Sequence, residues 1–134
     1  MENTSKYKVL TEAEPLEIAR AAVSAVYGKQ GRDILLYGVA DTTVIADYYV
    51  ICTGRSTTHI KALADEVAYV MEQSLVPVLR TEGRDGGTWV LVDLGCVIVH
   101  IFSKSERDFY DLERLLDVSG LVDITDLTSE QESN

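Results

Sequence analysis

The chain has 134 residues, 46% hydrophobic and 25% charged, a composition typical of a single globular domain. Its formal net charge of −10 argues against binding to a nucleic-acid phosphate backbone and permits a basic protein partner. Cys52 and Cys96 lie in or beside apolar runs without a CxxC motif, which indicates free thiols in a reducing compartment. Because no apolar run reaches the length of a membrane span and the first residues lack a signal-peptide layout, we expect a cytoplasmic protein.

The first half of the chain predicts a helix followed by two strands. The helix begins near Glu14 or Pro15, since proline suits the first helical turn, and ends at Gly28. Its apolar residues recur at helical spacing and are Leu16, Ala19, Val23, Val26 and Tyr27. Residues 34–40 and 47–53 then indicate two strands, separated by a turn at 41–43.

The second half predicts two more helices and three strands. Ser56 or Thr57 is the expected N-cap of the second helix, which cannot continue past Pro77. Residues 78–81 indicate a short strand, and residues 82–87 a loop with strong turn chemistry. The next segments are a strand at 89–92, a hairpin turn at 93–96, a strand at 97–102, and a third helix that starts at a Ser105–Asp108 capping box and ends near Asp117.

The element order α-β-β-α-β-β-β-α predicts an α/β fold with a mixed five-stranded sheet flanked by helices. The last two strands must be antiparallel, and the step from strand two through helix two to strand three is a right-handed crossover if those strands are parallel neighbours. We expect a flexible arm at 1–12, one domain at 13–118 and an acidic, disordered tail at 119–134.

The sequence offers no set of residues for catalysis or metal binding. Gly54-Arg55-Ser56 between a strand and a helix is a geometry that can hold phosphate, but a tight turn with a capping serine is favoured. A two-metal site needs paired carboxylates, whereas Glu82 and Asp93 each stand alone. His59 and His100 have no neighbouring ligands at metal-binding spacing, so we expect neither catalysis, nor a metal, nor a cofactor.

For Trp89, the third helix and His100, the sequence is compatible both with a place in the core and with contact to a partner. Trp89 suits either, because tryptophan fills cores and also dominates interface hot spots. On the third helix, Phe109, Leu112, Leu115 and Leu116 are expected to face inward. Tyr110, Glu113 and Arg114 then share another face, either solvated or a docking ridge. His100 likewise is either a core imidazole or faces a partner.

At these residues the chain resembles the ribosomal silencing factors, also called the Iojap family. The resemblance covers about residues 16–116. Its most specific parts are residues 47–54, 61–67, 82–83 with Gly87 and 89–93, 97–102 with His100, and 106–115. Two positions depart from the family pattern, which usually has tryptophan where this chain has Leu116 and commonly aspartate where it has Cys96.

The resemblance implies a nucleotidyltransferase-like core without catalytic carboxylates, and a translation repressor that is not an enzyme. Family members bind the large ribosomal subunit through its fourteenth ribosomal protein and sterically block subunit joining. The resemblance therefore implies this partner, little direct RNA contact, no membrane and no cofactor, and it allows a homodimer of the free protein. By position it assigns partner contacts to Trp89, His100, Phe102, Arg107, Tyr110, Leu112, Glu113 and Leu116, with Lys61, Arg80 and Glu82 as further candidates.

Two other functions stay open on the sequence. One is a reduced metal-dependent nucleotidyltransferase that uses Ser56, Glu82 and Asp93. The other is a homodimeric scaffold whose apolar face pairs with itself.

Overall fold

The fold, seen in a computed structural model that describes residues 7–132, is α/β with a mixed five-stranded sheet. In chain order the elements are α1 (Pro15–Gly28), β1 (Arg32–Gly38), β2 (Tyr48–Thr53), α2 (Thr57–Gln73), β3 (Arg80–Glu82), β4 (Trp89–Asp93), β5 (Val97–Phe102), α3 (Lys104–Tyr110), 3-10 turns at Leu112–Leu115 and Val118–Gly120, and α4 (Thr125–Glu132). No helix in this described part is long and apolar enough to cross a membrane.

The strands are ordered β1-β2-β5-β4-β3, and β2 and β5 are the parallel pair. The antiparallel hairpin of β4 and β5 is confirmed, with Trp89 opposite Phe102. The condition for a crossover between the second and third strands is not met, because β2 and β3 are not neighbours and β3 pairs antiparallel with β4 at the sheet edge. The chain therefore reaches the parallel neighbour of β2 only after α2 and two further strands.

Side-chain alternation divides the sheet into two unlike faces. The covered face packs against α1 and α2, and its strand residues include Val50, Cys52, Val90, Val92, Val97, Val99 and Ile101. The open face carries a second cluster, in which Tyr37, Val39, Ala46, Ile51, Ile98 and Phe102 are buried and Leu35, Tyr49, Trp89, Leu91, Leu112 and Leu116 are partly buried. Within the described residues, this second cluster contains none from α1, α2 or α4.

Helix α3 is shorter than predicted and starts at a different cap. Ser103, rather than Ser105, is its N-cap, and the Ser103 hydroxyl accepts the Glu106 N–H at 3.2 Å. The helix ends at Asp111, whose φ of 48° is left-handed, and a 3-10 turn follows. Aspartate tolerates this conformation better than most residues do. The predictions that Phe109 and Leu115 face inward are wrong, because 77% of Phe109, within α3, and 67% of Leu115, in the 3-10 turn after the break, are exposed.

Both chain ends are more ordered than the sequence predicts, as far as the structure describes them. Residues 1–6 of the predicted arm lie outside the described residues, but Leu10 is buried and its N–H donates to the Ser74 carbonyl at 2.8 Å. At the other end, the Val122 N–H donates to the Leu36 carbonyl at 2.8 Å.

The prediction of a disordered acidic tail is therefore wrong for residues 119–128. Val122, Ile124 and Leu127 pack on the covered-face core, and Asp126 forms an ion pair with Arg20 on α1. The acidic composition gives no sign of this arrangement, because three apolar residues, two before α4 and one within it, are enough to anchor the segment on the core.

Candidate functional site

Four aromatic rings meet where β4, β5 and the end of α3 come together on the open face. The Trp89 ring stacks on Phe102 at a centroid distance of 4.8 Å and lies 4.8 Å from Tyr110. Tyr110 in turn makes an edge-to-face contact of 5.0 Å with Phe109. These distances lie within the range of favourable aromatic pairs. The exposed fraction of these residues increases from the buried Phe102 through the half-buried Trp89 to Tyr110, which is 47% exposed.

His100 is held inside this group as a neutral imidazole. Trp89 Nε1–H donates to His100 Nδ1 at 3.3 Å, and Tyr49 makes an edge contact with the imidazole at 4.7 Å. Burial lowers the pKa of His100 to about 4, because the charged form would lose its hydration. Since Nδ1 accepts, the ring proton sits on Nε2, a buried atom without a hydrogen-bond partner among the described residues.

Arg107 fixes the end of α3 against the sheet. One guanidinium nitrogen donates to the Asp33 carbonyl at 2.7 Å and to the Thr53 hydroxyl at 2.8 Å. The same side chain binds the Glu113 carboxylate at 2.9 to 3.0 Å. Arg107 and Glu113 were predicted as partner contacts, and in this structure their charged groups bind inside the protein. Their arrangement orients the 3-10 turn that carries Leu112 and Leu116 on the open face.

Of the other predicted contact residues, Arg80 and Glu82 lie at the sheet edge beside the aromatic group, and Lys61 lies on α2. Glu82 lines a small cleft with Gly83, Trp89 and Leu91, and it pairs with Arg80 at 3.0 Å. Lys61 is on α2, against the Gly87 turn, and α2 covers the opposite face of the sheet. The structure thus brings together Trp89, His100, Phe102, Tyr110, Leu112 and Leu116, with Arg80 and Glu82 beside them, and leaves Lys61 apart.

The sequence did not predict the open-face position of Tyr49 or the exposure of three apolar residues on and after α3. Tyr49 shares the open face with Ile51 by strand alternation, a signal that β2 already contains. Phe109, Leu115 and Val118 are each more than 65% exposed. Leu115 and Val118 follow the helix break at Asp111, which the helical periodicity of the sequence does not reveal.

The three residues of the alternative enzymatic hypothesis have separate structural roles. The Ser56 hydroxyl accepts the His59 N–H at 3.1 Å and so caps α2. Glu82 and Asp93 both pair with Arg80 at the sheet edge. In the part of the chain that the structure describes, no group of three or more His, Cys, Asp or Glu residues could hold a metal ion.

Comparison with known proteins identifies the family. A family model described as ribosomal silencing factor during starvation matches residues 12–134. The chain is similar to the ribosomal silencing factor of Bacillus subtilis, at 38% identity over 80% of this chain and 91% of the relative. A crystal structure of a Chromobacterium violaceum protein superposes with a TM-score of 0.76, at 35% identity, over 77% of this chain and 86% of the other. One from Bacillus halodurans does so with a TM-score of 0.72, at 33% identity, over 81% and 98%.

Together these matches confirm the resemblance in the sequence and exclude the enzymatic alternative. The chain belongs to the ribosomal silencing factor family, whose members are non-enzymatic regulators that block association of the ribosomal subunits.

Proposed function

We propose that the open face docks on the large ribosomal subunit and that the bulk of the bound protein blocks the approach of the small subunit. The observation that carries this proposal is the graded aromatic group of Phe102, Trp89, Tyr110 and Phe109, which runs from the core to solvent on the sheet face opposite α1 and α2. Tyrosine and tryptophan anchored in this way are the side chains most enriched in interface hot spots.

The contact residues in this proposal follow from their position. Trp89, Tyr110, Leu112 and Leu116 supply the central apolar contact, and Phe109 and Leu115 extend it. His100 and Phe102 support Trp89 from below. Arg107 and Glu113 hold the 3-10 turn in place, while Arg80 and Glu82 form a charged margin. Lys61 is a contact only if the partner also reaches the α2 side.

The partner within the large subunit is proposed to be its fourteenth ribosomal protein, as the family resemblance implies. The chain carries 22 acidic against 12 basic residues, which favours a basic protein over direct contact with ribosomal RNA.

Occlusion requires neither a cofactor nor a metal. The proposal expects action in the cytoplasm. The implied likeness of the core to a nucleotidyltransferase without catalytic carboxylates belongs to the same proposal, and it is supported by Glu82 on β3 and Asp93 on β4, which both bind Arg80.

Self-association through the same face is a second candidate for the free protein. Phe109, Leu115 and Val118 are exposed apolar residues on α3 and the two 3-10 turns after it, and exposed apolar residues of this kind can pair with their own copy about a twofold axis. Because the dimer would bury the docking face, we expect self-association and large-subunit binding to compete.

Sedimentation with isolated ribosomal subunits tests the proposal. The protein is expected to comigrate with the large subunit and not with the small one. Preincubation with large subunits should reduce the joined-ribosome peak when small subunits and magnesium are added, in proportion to occupancy. Binding to the small subunit alone, or to neither, would contradict the proposal.

A further inference from the structure

An open cleft of about 520 Å³ lies where β2 ends, away from the aromatic group. It is formed by the turn between α1 and β1 and by the turn between β2 and α2. Its principal lining residues are Tyr27, Gln30, Arg32, Asp33, Arg55 and Thr128. This volume is in the range of small-molecule sites.

The two arginines of this cleft differ from the other five of the chain. Arg20, Arg80, Arg84, Arg107 and Arg114 each form an ion pair with a carboxylate. Among the ion pairs between described residues, none includes Arg32 or Arg55. In a chain with ten more acids than bases, two arginines without a carboxylate partner in one cleft are unexpected. The arrangement leaves both guanidinium groups available to an external anion.

The position of Arg55 is fixed by a histidine bridge. The Arg55 backbone N–H donates to His59 Nδ1 at 2.9 Å. His59 Nε2 therefore carries the ring proton and donates to the Lys29 carbonyl at 2.8 Å, which joins the start of α2 to the end of α1. The Arg55 guanidinium donates to Gln30 Oε1 at 3.2 Å, and Gln30 itself has a left-handed φ of 67°. The cleft is thus pre-organised, which lowers the entropic cost of binding.

We propose that this arginine cleft binds the phosphate groups of a nucleoside phosphate. Two guanidinium groups match the planar, bidentate geometry that phosphate oxygens accept. Asp33 is a lining residue of the same cleft, so its carboxylate, where it meets the ligand, would accept hydrogen bonds from sugar hydroxyls and repel a ligand composed only of anionic groups. This favours a nucleotide over inorganic phosphate. The proposal does not rest on ribosome docking.

Isothermal titration of the purified full chain with ADP, GDP and pyrophosphate, without metal ions, tests this proposal. Saturable 1:1 binding of a nucleotide is expected, tighter than that of pyrophosphate and weakened by added salt. Arg32→Gln and Arg55→Gln should each weaken it about tenfold, since each removes charge-assisted hydrogen bonds. Arg84→Gln is the matched control, because Arg84 is an exposed arginine paired with Asp65 outside the cleft.

Four outcomes would overturn the proposal: no saturable binding below about 1 mM, a level that corresponds to weak association; unchanged affinity in both cleft variants; equal weakening by Arg84→Gln; or binding of a short RNA oligonucleotide without binding of any mononucleotide. Because both cleft arginines are exposed, their variants should unfold at the same temperature as the parent, which excludes misfolding as the cause. The titration uses isolated protein, so its result is independent of any ribosome experiment.

Discussion

The two faces of the sheet are built by the same strands and differ in the kind of side chain they carry. In β5 the covered face receives Val97, Val99 and Ile101, whereas the open face receives Ile98, His100 and Phe102. Branched aliphatic side chains pack closely under α1 and α2. On the open face, Phe102 and His100 are also buried, and they hold the half-buried Trp89 ring by stacking and by a hydrogen bond. Strand alternation thus separates a layer of side chains that only stabilises the fold from a layer that also supports residues at the protein surface.

Neighbouring substitutions on β5 should separate these roles with the largest effect. Ile101→Ala and Phe102→Ala both remove fully buried side chains, so we expect each to lower the free energy of unfolding by about 2 to 5 kcal/mol. Phe102→Ala also removes the ring on which Trp89 stacks. Urea titration measures stability, and large-subunit sedimentation at a temperature where both variants stay folded measures binding. Binding should fall for Phe102→Ala and persist for Ile101→Ala, and equal loss in both would erase the distinction between the faces.

A smaller effect is expected from acidification, through His100. Its folded-state pKa of about 4 lies below the ordinary value of 6.5, so between these pH values the unfolded chain takes up a proton that the folded protein does not. The free energy of unfolding should therefore fall as the pH drops, by roughly 2 kcal/mol at pH 5, where most carboxylates are still ionised. Thermal unfolding between pH 7 and pH 5 measures this loss.

The matched variant for this titration is His100→Asn, which keeps an acceptor for the Trp89 N–H but has no group that titrates in this range. Its stability should change less than that of the parent over the same pH interval. A parent protein whose stability is flat from pH 7 to pH 5 would show that the imidazole is not buried as described.

The sequence predicted the sheet better than the site. Alternation and turn residues specify β2, β4 and β5 closely, because each is an apolar run with glycine, aspartate or serine at or near its ends. The break at Asp111 was not predictable, since the segment 104–117 keeps helical periodicity through the residue that ends the helix. Its cause is tertiary: Arg107 reaches across to Asp33, Thr53 and Glu113.

Family resemblance and structure contribute differently to the site. The resemblance assigned contact roles by position and included Arg107 and Glu113, which bind each other inside the protein. It did not include Phe109, Leu115 or Tyr49, which depend on how α3 ends and on which face of β2 stays uncovered. Resemblance by sequence position therefore identifies the part of the molecule that carries the proposed contact. Burial and hydrogen bonding then distinguish the residues at its surface from those that hold them in place.

Docking through the open face is tested most directly by substituting two exposed tyrosines. These substitutions are expected to change stability less than those described above. Tyr110 on the open face is 47% exposed and contacts Trp89, whereas Tyr69 on α2 is 48% exposed and contacts Tyr7. The measurement is large-subunit sedimentation of Tyr110→Ala and Tyr69→Ala, with the joined-ribosome peak recorded in parallel. We expect Tyr110→Ala to weaken binding at least tenfold and to restore subunit joining, as loss of a hot-spot residue does, while Tyr69→Ala behaves as the parent. Parent-like binding by Tyr110→Ala, or equal loss in both variants, would contradict docking through the open face.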